Sequence, residues 1–311
     1  MDKLVAMQTF VQVADCGSFT RAADVLQLPK ASVTQRINAL EAELRVRLLE
    51  RTTRSMRLTD DGRMYYERSV RLLAEIDDLE RSLHSLDAQP RGIVRVDMLS
   101  ALARLAVVPA LPAFMARYPE IALRIGSSDR AVDLIEDGID CVIRAGALAD
   151  SSLIARPICV VQMGLYAAPA YLRRRGMPKQ PEELVAHDCI GIFNARTAQA
   201  LPWTLIQDGK GNPGQPRLEC NDVETGIAAC LAGLGIAMAP PFVVTDYLQS
   251  GALRPVLPAH CAARIPLQIA YVSNRYLPTR TRCFIDWVLA LLANHPTLAS
   301  TPNEMAEKYG K

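Results

Sequence analysis

Four polar side chains stand in a row that could read a surface built of hydrogen-bond donors and acceptors. Thr34, Gln35, Arg36 and Asn38 lie in a segment whose apolar residues, Val33, Ile37, Leu40 and Leu44, recur at spacings of four, three and four. That period buries one face of a helix over residues 30–44 and leaves most of the polar row outside it. Glutamine and asparagine can each make two hydrogen bonds to adenine, and arginine two to guanine. Lys30, at the helix start, suits a phosphate, because the first turn of a helix carries free N–H groups and partial positive charge. Basic residues outnumber acidic ones here: Lys30, Arg36, Arg45, Arg47, Arg51, Arg54 and Arg57 stand against Glu41, Glu43 and Glu50. A solvated helix face would carry the same charges, so the charge pattern alone does not decide.

The elements around this helix have to position it. The spacing predicts a first helix over 3–15, ended by Gly17, with Ser18 or Thr20 capping a short helix over 21–26. Leu28-Pro29 is the turn into the polar helix, since proline fits a first helical turn and biases the residue before it out of helix. Beyond it, two short β-prone stretches flank Arg51-Thr52-Thr53-Arg54, the pattern of a small basic hairpin. A long helix is expected over 60–86. Its Leu72, Ile76, Leu79, Leu83 and Leu86 are spaced 4-3-4-3, a heptad seam that suits pairing of two such helices, although a helix lying on its own core shows the same spacing. Pro90 and Gly92 then break the chain, so 87–92 reads as a hinge.

From residue 93 strands and helices alternate. Strands are expected over 93–98, 121–126 and 141–146, with helices over 104–118 and 131–138 between them. Such alternation implies a parallel sheet covered by helices. A second block begins near 163, with a helix from Pro169, a strand over 189–193, a helix over 224–233 and a strand over 235–240. A strand over 267–272 and a helix over 279–293 close the fold, and the polar residues 297–311 are expected to be a loose tail.

With 311 residues, half of them hydrophobic and 22% charged, the chain has material for two or three domains. No run comes near 18 unbroken apolar residues. The first residues carry Asp2 and Asp15 and are spaced helically, unlike a signal peptide, so the expected location is cytoplasmic. The eight cysteines are scattered singly, without the close pairs of zinc or dithiol sites. The four histidines, His84, His187, His260 and His295, are far apart. There is no G-x-S-x-G, no P-loop and no glycine-rich dinucleotide fingerprint. Gly233 and Gly235 follow a helix and precede a strand, the reverse of the dinucleotide-binding order. These observations point away from an enzyme, and no cofactor or metal is expected.

The first 59 residues resemble the N-terminal domain of the LysR-type transcriptional regulators. The resemblance rests on Phe10, Ala14, Gly17-Ser18-Phe19-Thr20, Ala22-Ala23 and Leu26. It continues through Lys30-Ala31-Ser32-Val33-Thr34, Ile37, Leu40-Glu41, Leu44, Arg47-Leu48-Leu49, Arg51 and Leu58-Thr59. It extends to about residue 293 through 118–125, 128–146 and the block 233–240. Two departures stand out: Pro29-Lys30-Ala31 where the family often has Ser-Gln-Pro, and Arg45 where a glycine is common.

The resemblance implies an α/β protein with a winged helix-turn-helix over 1–59, a linker and dimerisation helix over 60–89, and an effector domain over 90–297. That domain resembles the two-lobed periplasmic-binding-protein fold, with one lobe over 90–162 and 267–297 and the other over 163–266. It implies a DNA-binding transcriptional regulator whose operator binding or promoter activation follows a small-molecule effector. The implied partners are double-stranded DNA, a small-molecule effector, further copies of the chain as a dimer or tetramer, and RNA polymerase; the expected helix start at Ser100, with free N–H groups and partial positive charge, makes an organic anion the expected effector. DNA contacts are expected from Ser18 and Thr20, from Lys30, Ala31, Ser32, Thr34, Gln35, Arg36 and Asn38, and from Arg51, Thr52, Thr53 and Arg54 in the wing. Effector contacts are expected at the strand ends: Ser100 and Ala101, Ser127 and Ser128, Phe193 and Asn194, and Asn221. Each of these is equally a helix cap or turn residue. Arg144 could hold a carboxylate or form a structural ion pair. The alternatives are a solute-binding protein, or a redox-responsive regulator using a cysteine, with Cys230 first among them.

Overall fold

In the computed structural model the described residues are 2–51, 56–84, 89–128, 133–134, 137–146, 153–195, 197–200, 203, 216–261, 263–272 and 277–309. The chain divides into two units, Met1–Ala88 and Gln89–Lys311.

In the first unit, Asp2 caps α1 (Lys3–Cys16) by accepting the N–H groups of Leu4 and Val5 at 3.0 and 3.2 Å. Gly17 closes α1 in the left-handed conformation, at φ 59°. Ser18 caps α2 (Phe19–Leu26), and α3 (Lys30–Leu44) follows Pro29. The α3 stripe Val33, Ile37 and Leu40 is fully buried against Phe10, Val13, Ala22 and Ala23. Arg45 ends α3 at φ 57°, where a glycine would sit without strain. The antiparallel hairpin of β1 (Leu49–Arg51) and β2 (Met56–Leu58) follows. The Glu41 carboxylate of α3 accepts the N–H groups of Leu48 and Leu49 at 2.8 and 3.1 Å, so the hairpin base is tied to α3. The long helix α4 (Asp60–His84) packs its start on the same core, with Tyr65 edge-on to Phe10 at 5.5 Å. Leu72 is 48% exposed and Ile76 half-buried, while the side chains of Leu79 and Leu83, and Leu86 altogether, lie outside what is described.

The second unit holds a five-stranded sheet of order β4-β3-β5-β12-β6: β3 (Gly92–Met98), β4 (Ile121–Ser127), β5 (Cys141–Ala145), β6 (Leu153–Gln162) and β12 (Arg264–Val272). Its first three strands are parallel, as alternation implies. β12 departs from that expectation, because it runs antiparallel to both β5 and β6. The reason is the path of the chain. β6 carries it out of this lobe and β12 brings it back, side by side, from Arg264 opposite Gln162 to Val272 opposite Leu153.

Between these crossings lies the second lobe. It contains an antiparallel sheet of β7 (Gly164–Ala167), β10 (Ile236–Ala239) and β11 (Arg254–Val256), and a parallel pair of β8 (Ile190–Ile192) and β9 (Leu218–Cys220). Helices α7 (Pro169–Arg175), α8 (Val223–Leu231) and α9 (Pro241–Gln249) complete it. The helix expected over 131–138 falls mostly on residues outside those described.

The helix expected over 104–118 begins earlier. A turn of α5 (Ser100–Leu102) runs through a π-turn (Ala103–Val107) into α6 (Val108–Arg117). This stretch is long and apolar enough by composition to cross a membrane, but Leu102, Val107 and Phe114 are wholly buried in the first lobe's core. There Phe114 meets Phe284 and Trp287 of α10 (Thr279–Ala293) at 5.7 and 4.8 Å between ring centres.

The C-terminal segment corrects the expectation of a loose tail. It forms α11 (Pro302–Tyr309), with Leu298, Pro302 and Met305 buried. Leu298 joins the core of the first lobe and Met305 that of the second. The signal was present in Thr301-Pro302-Asn303-Glu304, a reciprocal cap. Glu304 accepts the Thr301 N–H at 2.9 Å, and the Thr301 hydroxyl accepts the Glu304 N–H at 3.2 Å. Polar composition had hidden three apolar residues spaced four and three apart.

Candidate nucleic-acid interface and effector cleft

The outer face of α3 is a shallow surface formed by Lys30, Ala31, Thr34, Gln35, Asn38 and Ala39. The burial of Val33, Ile37 and Leu40 forces it outward, and Lys30, Gln35 and Asn38 are exposed on it. The Thr34 hydroxyl donates to the Lys30 carbonyl at 3.0 Å, so it is engaged within the helix. No side chain caps the α3 N-terminus. Arg36 is placed differently from its neighbours. It turns toward α1, and its Nη1 donates to the buried Thr9 hydroxyl at 3.4 Å. Ser32 is half-buried. Ser18 is the cap of α2, and Thr20 is exposed one residue into that helix. In the wing, Arg51 ends β1, while Thr52, Thr53 and Arg54 lie outside the described residues.

In the second unit a cleft of about 430 Å³ opens between the lobes. Its walls come from the start of α5, the crossing strands β6 and β12, the end of β8 and the start of α8. Ala101, Phe193, Asn194 and Asn221 of the expected contacts line it. Ser100 begins α5 between the lining residues Leu99 and Ala101, and Leu99 at the N-cap position makes no side-chain cap. Ser127 ends β4, and the Ser128 N–H donates to the Met98 carbonyl at 3.1 Å; neither is among the described lining. Arg144 is paired with Asp97, both side chains being about 10% exposed (12% and 10%). That pair joins neighbouring strands, so Arg144 holds the sheet together at this point.

Sequence reasoning missed most of the apolar wall. Leu102, Val161, Met163, Met238, Phe242 and Ile265 come from elements far apart in the chain, and their types are those of any core. It also missed Glu224, which lines the cleft from the first turn of α8. Two lining carboxylates are already engaged. Asp222 caps α8 through the Thr225 N–H at 2.8 Å, and Glu224 is paired with Arg104.

Cys230 lies on α8, wholly buried, with its thiol donating to the Tyr166 carbonyl at 3.2 Å. Burial pushes that thiol up to about 11, so it is protonated at neutral pH and a poor nucleophile.

Comparison with known proteins adds to this geometry. Residues 4–63 match the bacterial regulatory helix-turn-helix protein, lysR family, and residues 87–293 match the LysR substrate binding domain. The chain is 45% identical over 318 residues to the HTH-type transcriptional repressor PA14_22550 of Pseudomonas aeruginosa, covering 100% of this chain and 98% of that one. The structure of CrgA, a LysR-type transcriptional regulator from Neisseria meningitidis, superposes with a TM-score of 0.61 at 33% identity, over 93% of this chain and 98% of that chain. The full-length Vibrio cholerae virulence activator AphB gives 0.57 at 30% identity, over 93% and 99%.

Proposed function

The chain belongs to the LysR family of transcriptional regulators, DNA-binding proteins with an effector domain, and from that premise we propose how its two sites work. The outer face of α3 enters the major groove. Gln35 and Asn38 read base edges there, Lys30 and the uncapped helix start hold a phosphate, and Arg51, Thr52, Thr53 and Arg54 of the wing take the backbone or minor groove. Arg36 positions α3 on α1 through Thr9. The exposed Leu72 and half-buried Ile76 of α4 form part of a seam between two copies, giving a dimer, or a tetramer of two, on an interrupted palindrome. The protein acts in the cytoplasm, with RNA polymerase as its further partner.

The observation that carries the reading of α3 is its exposed polar face. Gln35→Ala and Asn38→Ala are each expected to weaken specific operator binding by about 1–3 kcal/mol and leave non-specific binding unchanged. Gel-shift titration against a promoter fragment and a scrambled fragment checks this. Equal losses on both fragments would remove these residues as readers.

The effector is a small organic acid. The support for this is the cleft of about 430 Å³, apolar over most of its wall, with Leu99 and Ala101 of the helix start in its lining. An apolar body fits the wall, and a carboxylate fits the N–H groups and partial positive charge of that helix start. Calorimetry on the full chain with benzoate, phenylacetate and hexanoate should show binding at least about tenfold tighter than for the matching amides. Amides that bind as well as the acids would overturn the anionic reading.

A further inference from the structure

Among the described residues, the cleft wall carries Asp222 and Glu224 and no basic side chain. A guanidinium nevertheless stands at its rim. Arg104 lies in the π-turn of the first lobe's helix, and Glu224 lies in the first turn of α8 in the second lobe, 120 positions further on. Their ion pair therefore joins the two lobes at a residue that lines the cleft. Arg104 Nε donates to Glu224 Oε1 at 2.7 Å, and Nη2 donates to the same oxygen. The arginine fork, whose shape matches both oxygens of a carboxylate, is thus engaged on one oxygen only. The Arg104 side chain is 61% exposed and that of Glu224 25% exposed, so an incoming solute can reach the guanidinium.

We propose that Arg104 is the counter-ion for the effector's carboxylate, and that Glu224 occupies it as a built-in substitute while the cleft is empty. This rests on the organic-acid reading above. The exchange replaces one ion pair on Arg104 by another and frees the Glu224 carboxylate. The displaced Glu224 carboxylate stays at the N-terminus of α8, where the helix favours negative charge. The exchange also breaks a bond between the lobes, and a neutral ligand of the same shape cannot drive it. Binding of an acid is in this way coupled to how the two lobes are held.

The test uses the full chain, the three acids benzoate, phenylacetate and hexanoate, and their amides. Calorimetry is run on the parent, Glu224→Gln and Arg104→Gln. Glu224→Gln removes the internal competitor and should tighten acid binding about tenfold with the amides unmoved. Arg104→Gln should weaken acid binding by a similar factor, again without moving the amides. The opposite signs of Glu224→Gln and Arg104→Gln, both confined to the acids, separate this from a structural pair, because loss of the Glu224 charge by itself favours any anion in the cleft. If Arg104→Gln fails to fold, Arg104→Lys takes its place: it keeps the charge but loses the fork, and should still weaken acid binding without moving the amides. Acids that bind the parent and both variants equally would overturn this assignment and leave the acid reading standing. If no acid binds the parent or Glu224→Gln, the acid reading falls and this assignment with it.

Discussion

Gly62→Ala is expected to lower the melting temperature of the helix-turn-helix unit by more than about 10 °C, since a cost near 3 kcal/mol acts on a domain of under a hundred residues. Gly62 sits in the first turn of α4. A Cβ there would lie 1.9 Å from the Leu48 carbonyl oxygen and 2.8 Å from its carbonyl carbon. Those are backbone atoms, and no rotamer change moves them. Leu48 is held in place on every side. Its N–H goes to Glu41, its carbonyl accepts the Thr59 N–H at 3.0 Å, and its side chain is buried in the core. The Thr59 hydroxyl in turn accepts the Gly62 N–H at 2.8 Å, so α4 cannot shift without losing its own cap. The strain falls where hairpin, α3 and α4 meet, and operator binding should be lost along with the fold. Calorimetry of the full chain with a parallel gel shift reads both. A melting point within about 2 °C of the parent would show that α4 docks with more freedom than this packing allows.

Arg144→Ala should destabilise the second unit by about 3–5 kcal/mol, because it leaves the buried Asp97 carboxylate without its partner. Asp97 has no room to turn away. A Cβ on Gly126 would lie 2.2 Å from its Oδ2, so the carboxylate is packed against the backbone of β4. The double variant Asp97→Asn with Arg144→Met removes both charges, and most of the lost stability should return. Denaturant unfolding of the three proteins reads this cycle. An Arg144→Ala chain as stable as the parent but deaf to the effector would instead make Arg144 a ligand contact.

Local physics wrote much of this protein into its sequence. The bounds of α3 and α10 follow from apolar spacing and from Pro29 and Pro278 at their starts. The hairpin follows from β-prone stretches around a basic turn, and the outward set Lys30, Gln35 and Asn38 follows from the burial of its alternate face. The family pattern is legible for the same reason: its residues sit close together in the chain and repeat a local geometry. Ala101, Phe193, Asn194 and Asn221 could be expected at the cleft because strands of an α/β lobe end there.

What remained hidden depends on residues brought together from a distance. Arg36 has the type and helix position of a base reader, and its Nη1 also donates to a buried threonine on α1, 27 positions away, a contact that local spacing does not show. Arg144 could have met a ligand or a carboxylate, and the pairing of β5 with β3 puts Asp97 beside it. The antiparallel return of β12 is a matter of chain path between two lobes, which no local pattern records. The same holds for the cleft. Its apolar wall is built from residues that any core would use, and the Arg104–Glu224 pair spans 120 positions. Hydrophobic period and capping act over one or two turns, and so they can be read along the chain. Ion pairs and cavities depend on which surfaces meet, and only the packed structure decides that.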